Sequence, residues 1–245
     1  MPDITTDKKV ALITGANRGI GFETARQLGQ KGVLIVAAAR TRAAADETAA
    51  KLKAQGIDAC GVQLEVTSGS DRKSAAQWID SQFGRLDILI NNAGVGSEGM
   101  RTIETSEKEL QRIFGTNVFG LLAVTREMLP LLKKSPAGRI VNLSSILGSL
   151  TLHADPKSPI AGFKAFAYDA SKSAVNAFTI HLAAELKDTN IKVNSAHPGW
   201  VKTDMGGPNA PLEVVDGAKT SVELALIGPD GPNGRFIHMG RELPW

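Results

Sequence analysis

Short apolar runs alternate with longer amphipathic stretches along the 245-residue chain. The runs span residues 10–13, 33–38, 86–90, 139–143, 191–195 and 235–238, with a weaker seventh at 60–66. Near-continuous apolar runs between helical segments are typical of a parallel sheet that helices cover on both faces. The pattern therefore predicts an α/β fold with about seven strands. No Pro/Gly/Ser-rich linker or repeat divides the chain, so we expect residues 1–245 to form one domain.

Composition and charge exclude several classes of protein. The formal net charge is only +3, and the Lys and Arg residues are scattered, so no nucleic-acid partner is expected. Cys60 is the single cysteine, which excludes an internal disulfide and suits a reducing compartment. Residues 1–9 lack the apolar core of a signal peptide, and no apolar run is long enough to span a bilayer. We expect a soluble, cytoplasmic protein that binds neither membrane nor metal.

An alanine-rich stretch from residue 168 to residue 186 opens with Tyr-Asp-Ala-Ser-Lys. Its apolar residues recur every three or four positions, which is the period of one helix face. The four-residue offset places Tyr168 and Lys172 on the same face, one turn apart. There the ammonium group can favour the phenolate, so a tyrosine with a reference pKa of about 10 could exchange a proton near neutrality. We interpret Tyr168 as a proton donor and Lys172 as the group that lowers its pKa, although such pairs also arise on helices by chance.

A glycine-rich turn, Thr-Gly-Ala-Asn-Arg-Gly-Ile-Gly at 14–21, follows the first apolar run and precedes a predicted helix at 22–30. Glycines allow a tight turn and let backbone N–H groups approach a pyrophosphate, which the helix N-terminus attracts. A turn of this kind in the first βαβ unit is the dinucleotide site of the Rossmann-like, doubly wound fold. Glycines also serve plain tight turns, and this spacing is not the common G-x-G-x-x-G.

The spacing Gly-x-x-x-Gly-x-Gly resembles the short-chain dehydrogenase/reductase family, and other motifs of that family occur in the expected order over essentially the whole chain. They are Asn-Asn-Ala-Gly at 91–94, Asn117, Ser144-Ser145, the pair Tyr168 and Lys172, and Pro198-Gly199. Within the family, segment 198–205 and the region of Ser145 resemble carbonyl reductase-type members. The resemblance implies an enzyme that reduces a ketone or aldehyde to an alcohol with a nicotinamide cofactor.

The resemblance also implies roles for individual residues. Ser145 would donate a hydrogen bond to the substrate carbonyl oxygen, and Tyr168 would act as acid in reduction and as base in oxidation. Lys172 would hold the nicotinamide ribose and, with the positive ring of the oxidised cofactor, lower the tyrosine pKa. Asn117 would position a water that connects Lys172 to solvent. Taken singly, Ser145 and Asn117 also suit plain hydrogen bonds to backbone. The expected cofactor-binding residues are Gly15, Asn17, Arg18, Gly19, Ile20, Gly21, Arg40, Glu65, Val66, Asn92, Ala93, Gly94, Tyr168, Lys172, Pro198, Gly199, Val201 and Thr203.

The residues after the second predicted strand bear on the choice of cofactor. NAD-binding relatives place an acidic residue there, which accepts hydrogen bonds from the adenosine ribose and would repel a 2′-phosphate. This chain has Arg-Thr-Arg at 40–42 instead. The guanidinium groups of Arg40 and Arg18 suit phosphate oxygens, so we expect NADPH to be preferred over NADH. The alternative is that these arginines line a solvated rim.

Two features depart from the family pattern. Glu65 stands where the family usually has Asp near the adenine, so we expect a shifted adenine contact. The interval of 23 residues from Ser145 to Tyr168 is longer than usual, which predicts an inserted loop at about 150–163 beside the active site. We expect His153, in that loop, to be solvated, with a contact to substrate as the alternative.

The substrate pocket is expected between this insertion and segment 200–209, and an apolar, moderately bulky carbonyl compound would fit it. The side chains expected to close over the ligand are Leu150, Leu152, Phe163, Trp200 and Met205. The sequence does not specify the natural substrate, because variable loops form the pocket.

Two other functions are compatible with this fold. A cofactor-sensing or signalling relative would be expected to lose the proton donor or its lysine, and this chain keeps both. A structural or interaction module is also compatible, because segments 121–132 and 174–186 offer apolar faces suited to a homodimer. Such association would not oppose catalysis.

Overall fold

A computed structural model of the protein describes residues 7–97 and 101–245. Its strands are β1 (Val10–Ile13), β2 (Leu34–Ala39), β3 (Ala59–Gln63), β4 (Ile88–Asn91), β5 (Arg139–Leu143), β6 (Lys192–Ala196), β7 (Phe236–His238) and β8 (Arg241–Glu242). In this part of the chain they form one sheet in the order β3-β2-β1-β4-β5-β6-β7-β8. Strands β1 to β7 are parallel, and β8 pairs antiparallel with β7.

Helices connect the parallel strands. They are α1 (Gly19–Gln30), α2 (Arg42–Lys53), α3 (Gly69–Phe83), α4 (Glu107–Phe114), α5 (Leu121–Leu132), α6 (Leu150–Ala154), α7 (Phe166–Glu185) and α8 (Val214–Ala225). A π-helical turn, Gly115–Gly120, joins α4 to α5, and a 3-10 turn, Ile146–Gly148, follows β5. Among the described residues, no helix is both long enough and apolar enough to cross a bilayer.

The side chains of β1 alternate between two hydrophobic cores, one on each face of the sheet. Val10 and Leu12 enter the core that α5 and α7 cover, whereas Ala11 and Ile13 enter the core beneath α1 and α8. All four residues of β1 are fully buried. A strand covered on both faces has no polar side, and this explains why β1 appears in the sequence as an unbroken apolar run.

The structure confirms the predicted α/β, doubly wound fold, and each of the seven predicted strands is present. The strand expected at 60–66 ends at Gln63, because Glu65 turns back and accepts hydrogen bonds from the backbone and hydroxyl of Thr67. The eighth strand, Arg241–Glu242, was not predicted. Two exposed charged residues leave no apolar run that could indicate a strand.

The apolar faces expected to support a homodimer lie largely inside the molecule. Val124 and Met128 of α5 and Leu182 of α7 pack into the core on their side of the sheet. Among large apolar side chains of the π-helical turn and these two helices, those that stay exposed are Phe119, Leu122, Phe166 and Ile180. The amphipathic pattern of α5 and α7 is therefore explained by the sheet that they cover.

Candidate active site

A cleft with a volume of about 870 Å³ opens at the carboxyl ends of the central strands. Open α/β sheets bind their ligands at this edge, where the loops after parallel strands converge. The glycine turn after β1 lines one end of the cleft, and Ser145, Tyr168 and Lys172 line its centre. The inserted segment and the loop after β6 form the remaining walls.

Most of the predicted cofactor residues line this cleft. They are Gly15, Arg18, Gly19, Ile20, Gly21, Asn92, Gly94, Tyr168, Lys172, Pro198, Gly199, Val201 and Thr203. The residues that lie outside its lining are Asn17, Arg40, Glu65, Val66 and Ala93. The carboxylate of Glu65 accepts hydrogen bonds from the backbone N–H and the hydroxyl of Thr67, and its contact with the adenine stays a prediction.

Close packing explains the glycines of the turn. Gly15 and Gly19 have positive φ angles of 62° and 53°, which a residue with a side chain rarely adopts. At Gly21, an added Cβ would lie 2.4 Å from Asn92 Nδ2 and 2.4 Å from the Gly15 oxygen. Asn92 holds the turn in place by donating to the carbonyl oxygens of Thr14 and Gly15 at 2.8 and 3.1 Å. The glycines thus keep the loops after β1 and β4 in contact.

The start of α1 is suited to an anion. Its N-cap residue, Arg18, provides no side-chain cap, so the first backbone N–H groups have no such partner among the described residues. These N–H groups and the positive end of the helix dipole favour a phosphate group. The uncapped helix and the glycine turn together fit the pyrophosphate of a dinucleotide.

Tyr168 lies in the first turn of α7, and Ser145 is the N-cap of the 3-10 turn that follows β5. Burial raises the pKa of Tyr168 to about 12, and this effect outweighs a hydrogen bond with Ser145 that lowers it. We expected the neighbouring lysine to bring the tyrosine pKa towards neutrality, and for the protein alone that expectation is wrong. The charged phenolate would lose its contacts with water in the cleft, so burial disfavours ionisation and has the largest effect on the tyrosine pKa. The tyrosine is therefore protonated at neutral pH.

Lys172 is buried one turn further along α7. Its Nζ donates a hydrogen bond to the Leu143 oxygen at 2.7 Å and lies 5.6 Å from the centre of the Tyr168 ring. Burial lowers the pKa of Lys172 to about 8. The predicted one-turn spacing of the pair is confirmed, but a backbone carbonyl is the hydrogen-bond acceptor of the ammonium group.

Asn117 lies in the π-helical turn and is buried behind the cleft. Its Oδ1 accepts from the Val95 backbone at 2.8 Å, and its Nδ2 donates to the Val95 oxygen and to Ser171 Oγ, both at 3.0 Å. The side chain therefore holds the loop after β4 against α7. These bonds are those of the plain hydrogen-bonding alternative for Asn117, and its role in positioning a water stays a prediction.

The three arginines near the cofactor end have different partners. Arg18 Nη1 lies 2.5 Å from Asp204 Oδ2, and Arg42 Nε lies 2.8 Å from Asp46 Oδ2. Arg40 is exposed and pairs with no acidic residue in the part of the chain that the structure describes. Arg40 is therefore available to a ligand, whereas Arg42 is turned towards its own helix.

The wall formed by the insertion and by segment 200–209 is mainly apolar. It includes Ile160, Phe163, Trp200 and Met205. Trp200 Nε1 donates to the Gly206 oxygen at 2.8 Å and closes its loop. Leu150 and Leu152, which were expected in this wall, do not line the cleft, and Leu150 is 68% exposed. The insertion begins with the short helix α6, which Ser149 caps by accepting from the Leu152 backbone, and continues in turns.

Sequence reasoning missed one histidine of the cleft. His197 follows β6, and its Nδ1 accepts from the backbone N–H groups of Ile146 and Gly199 at 3.2 and 3.3 Å. Burial lowers its pKa to about 3, so the imidazole is neutral. His197 joins the turn after Ser145 to the turn at Gly199. The predicted strand before His197 indicated that the residue lies at the carboxyl edge of the sheet. Its hydrogen bond to the Ile146 backbone joins loops that are distant in sequence, so the sequence did not indicate that bond.

Known proteins resemble the chain over almost its full length. A family model described as short chain dehydrogenase matches residues 9–212. Carbonyl reductase [NADPH] 1 of Mus musculus is 31% identical over 280 residues, which cover 99% of this chain and 100% of the relative. The solved structure of NADPH-bound carbonyl reductase from chicken fatty liver has a TM-score of 0.85 and 27% identity, covering 98% of this chain and 100% of that chain. The carbonyl reductase Sniffer of D. melanogaster has a TM-score of 0.84 and 29% identity, covering 97% and 100%.

Proposed function

The chain belongs to the short-chain dehydrogenase family and is an oxidoreductase that uses NADP(H), and we propose that it reduces a ketone or aldehyde to an alcohol with Tyr168 as the acid. One observation carries this proposal. Ser145 and Tyr168 line one cleft with buried Lys172 and the glycine turn, and the Lys172 ammonium lies 5.6 Å from the centre of the tyrosine ring. A carbonyl group in that cleft would meet a hydroxyl donor and a proton source together.

The residues of the cleft suit NADPH. The glycine turn and the uncapped start of α1 would hold the pyrophosphate, and Lys172 would hold the nicotinamide ribose. Arg40, with Arg18 across the glycine turn, would bind the 2′-phosphate through paired hydrogen bonds. When bound, NADPH supplies the hydride that reaches the carbonyl carbon.

The protein's own groups would handle the carbonyl oxygen. Ser145 donates a hydrogen bond that stabilises negative charge as it develops on this oxygen. Tyr168 keeps its proton in the resting protein because its pKa lies at about 12, and it gives that proton to the oxygen during reduction. Lys172, beside the tyrosine ring, offsets the charge that remains on the phenolate. For alcohol oxidation the tyrosine must first ionise, so oxidation is favoured at higher pH.

The apolar wall supports a substrate class. Phe163, Trp200 and Met205 would pack against the body of an apolar, moderately bulky carbonyl compound, while its oxygen points to Ser145. The relatives named carbonyl reductase are consistent with such a substrate. A cofactor-sensing protein is not favoured, because the proton donor, the lysine and Ser145 are all in place.

The proposal is tested by following loss of reduced-nicotinamide absorbance with NADPH and a panel of aldehydes and ketones. Tyr168→Phe removes the proton but keeps the ring, so turnover should fall by roughly 10²–10⁴-fold while NADPH still binds. Binding is measured separately by NADPH fluorescence. Near-normal turnover in this variant would contradict the role of Tyr168, and binding without turnover of any carbonyl by the unmodified protein would favour the sensing function.

A further inference from the structure

His153, in the inserted segment, lies inside the protein rather than in solvent. Only 14% of its side chain is exposed. Its Nε2 is 3.0 Å from the Leu147 oxygen and 3.5 Å from Asp169 Oδ2, and its Nδ1 is 3.0 Å from Lys164 Nζ. Two acceptors face Nε2 and an ammonium donor faces Nδ1. The neutral tautomer with hydrogen on Nε2 therefore satisfies both ring nitrogens.

These contacts join three separate parts of the active site. Leu147 lies two residues after Ser145, His153 belongs to α6, and Asp169 follows Tyr168 at the start of α7. The imidazole thus connects the turn that carries Ser145 to the helix that carries Tyr168. Ser145 and Tyr168, which these two elements carry, both line the cleft.

Asp169 is the buried member of this cluster. Its Oδ2 accepts from the Ala165 backbone at 2.9 Å and so secures the first turn of α7. Its Oδ1 is buried and has no hydrogen-bond partner among the described residues. Burial raises the pKa of this carboxyl, while the Ala165 N–H, His153 and Lys164 oppose the rise. A carboxylate kept in such a place next to Tyr168 costs stability, which indicates a function.

We propose that His153 and Asp169 are a positioning pair, which clamps the inserted segment between the turn carrying Ser145 and the start of α7 and thereby sets the distance from Ser145 to Tyr168. This inference rests on the proposed function for its kinetic consequences. Misplacement of one reacting group by about 1 Å can cost roughly 10²-fold in rate. The clamp acts on kcat because it sets the reacting geometry and does not touch the cofactor end of the cleft.

The charge of Asp169 has a second consequence. A carboxylate beside Tyr168 disfavours the phenolate and so contributes to the raised pKa of the tyrosine. The charged groups that face Asp169 are Lys164, in the segment before α7, and His153 when it is protonated. Removal of the carboxylate charge should therefore lower the pKa of Tyr168. A purely structural role for Asp169 predicts no such direction.

The first test uses histidine variants with a reactive ketone and NADPH. His153→Leu removes the donor to Leu147 and should lower kcat by roughly 10-fold to 100-fold, with NADPH affinity unchanged. His153→Gln can still donate through its amide and should keep most of the activity. His181→Leu, on the exposed face of α7, is the matched control and should behave as the unmodified protein. Equal losses in the leucine and glutamine variants, or full activity in both, would overturn the clamp.

The second test needs no catalysis, because Tyr168 is the only tyrosine in the chain. Stopped-flow pH jumps that record phenolate absorbance before alkaline unfolding report its ionisation directly. Asp169→Asn keeps the side-chain shape and should shift the midpoint to lower pH than in the unmodified protein. Glu185→Gln, an exposed change of the same charge on α7, should leave the midpoint unchanged. An unshifted or higher midpoint in Asp169→Asn would overturn the role of Asp169.

The two tests separate this inference from the proposed function. If the unmodified protein turned over no carbonyl compound, the proposed function would fail, while the tyrosine titration would still decide whether Asp169 acts on Tyr168. If the protein is active but kcat does not fall more in His153→Leu than in His153→Gln, the positioning role of His153 is contradicted and the reductase function is not. If Asp169→Asn does not fold, the histidine variants and their control decide the outcome.

Discussion

Arg18 and Asp204 form an ion pair across the mouth of the cleft, with 2.5 Å between Nη1 and Oδ2. Arg18 belongs to the glycine turn after β1, and Asp204 belongs to the loop after β6, 186 residues further along the chain. Both side chains are mostly exposed, at 69% and 76%. The same guanidinium group is expected to bind the 2′-phosphate, so Asp204 would compete with the cofactor for Arg18.

Asp204→Asn should therefore tighten NADPH binding. An exposed ion pair is worth about 0–1 kcal/mol, so the Kd should fall by at most about fivefold. NADH lacks the phosphate, and its Kd should change less. Fluorescence titrations at low and high salt measure both values, and the gain should shrink at high salt because the competition is between exposed charges. Asp216→Asn, which removes another exposed paired carboxylate, is the control; weaker NADPH binding in Asp204→Asn would contradict the competition.

Arg40 and Arg18 lead to a prediction about the preference for NADPH over NADH. A hydrogen bond to a charged group contributes roughly 1.5–3 kcal/mol, so two arginines on the phosphate should give a preference of at least about a hundredfold for NADPH. Salt screens charges at the exposed rim, so the preference for NADPH over NADH should lie near that lower bound. Arg40→Asp should abolish or reverse the preference, because it places a negative charge beside the phosphate.

The matched pair for this prediction is Arg40→Gln and Arg42→Gln, compared by kcat/KM with each cofactor. Arg42 is turned to Asp46, so its loss should change the preference little, whereas loss of Arg40 should lower it by roughly 10-fold or more. Equal use of NADH and NADPH by the unmodified protein would show that Arg40 and Arg18 line a solvated rim instead.

The sequence allowed prediction of the sheet and of the residues at its carboxyl edge, because both depend on local signals. β1 is apolar throughout and β4 is apolar up to Asn91 at its end, since each strand is buried on both faces. The motif residue Ser145 follows β5 and Lys172 lies near the start of α7, so the order of elements brings the two residues together. Strand β8 and the helical form of the insertion gave no such local pattern.

Contacts between distant loops could not be predicted in this way. His153 was expected in solvent, and its burial depends on Leu147 and Asp169 approaching it from two other elements. The sequence shows the four-residue spacing between Tyr168 and Lys172, and for this reason a low tyrosine pKa was expected. The sequence does not show the desolvation that raises the pKa. Burial of an ionisable group is a property of the folded environment, which a spacing of four residues does not encode.

The insertion offers a test of the substrate wall. Phe163 lines the cleft, whereas Leu150 lies outside it and is exposed. Phe163→Ala should raise KM for a bulky apolar ketone by roughly 10-fold, since an apolar contact of this size is worth about 1–3 kcal/mol, and it should leave NADPH affinity unchanged. Leu150→Ala should alter neither value. Steady-state kinetics with a small and a bulky ketone make the comparison, and a substrate profile that Leu150→Ala changes but Phe163→Ala does not would contradict this wall.

Lys172 yields a prediction about stability and its dependence on pH. Burial lowers its pKa from 10.5 to about 8, so below pH 8 the folded protein holds a charge that costs up to about 3 kcal/mol relative to the unfolded chain. Lys172→Met removes that cost. It also leaves the Leu143 oxygen without its donor, and this loss destabilises the variant by about 1 kcal/mol. The variant should be more stable by roughly 2 kcal/mol at pH 7 and inactive in carbonyl reduction.

The sign of the pH dependence follows from the protons bound in each state. Between about pH 8 and 10.5 the unfolded chain keeps a proton on Lys172 that the folded protein has lost, so the stability of the unmodified protein rises with pH across this window. The advantage of Lys172→Met should therefore be largest below pH 8 and should shrink as the pH approaches 10.5. Urea unfolding of both proteins at pH 7 and pH 9.5 measures the difference, with Lys187→Met as an exposed control that should show neither effect. A loss of stability in Lys172→Met at pH 7 would show that the ammonium group stabilises the fold, and that its burial costs less than the hydrogen bond to Leu143 contributes.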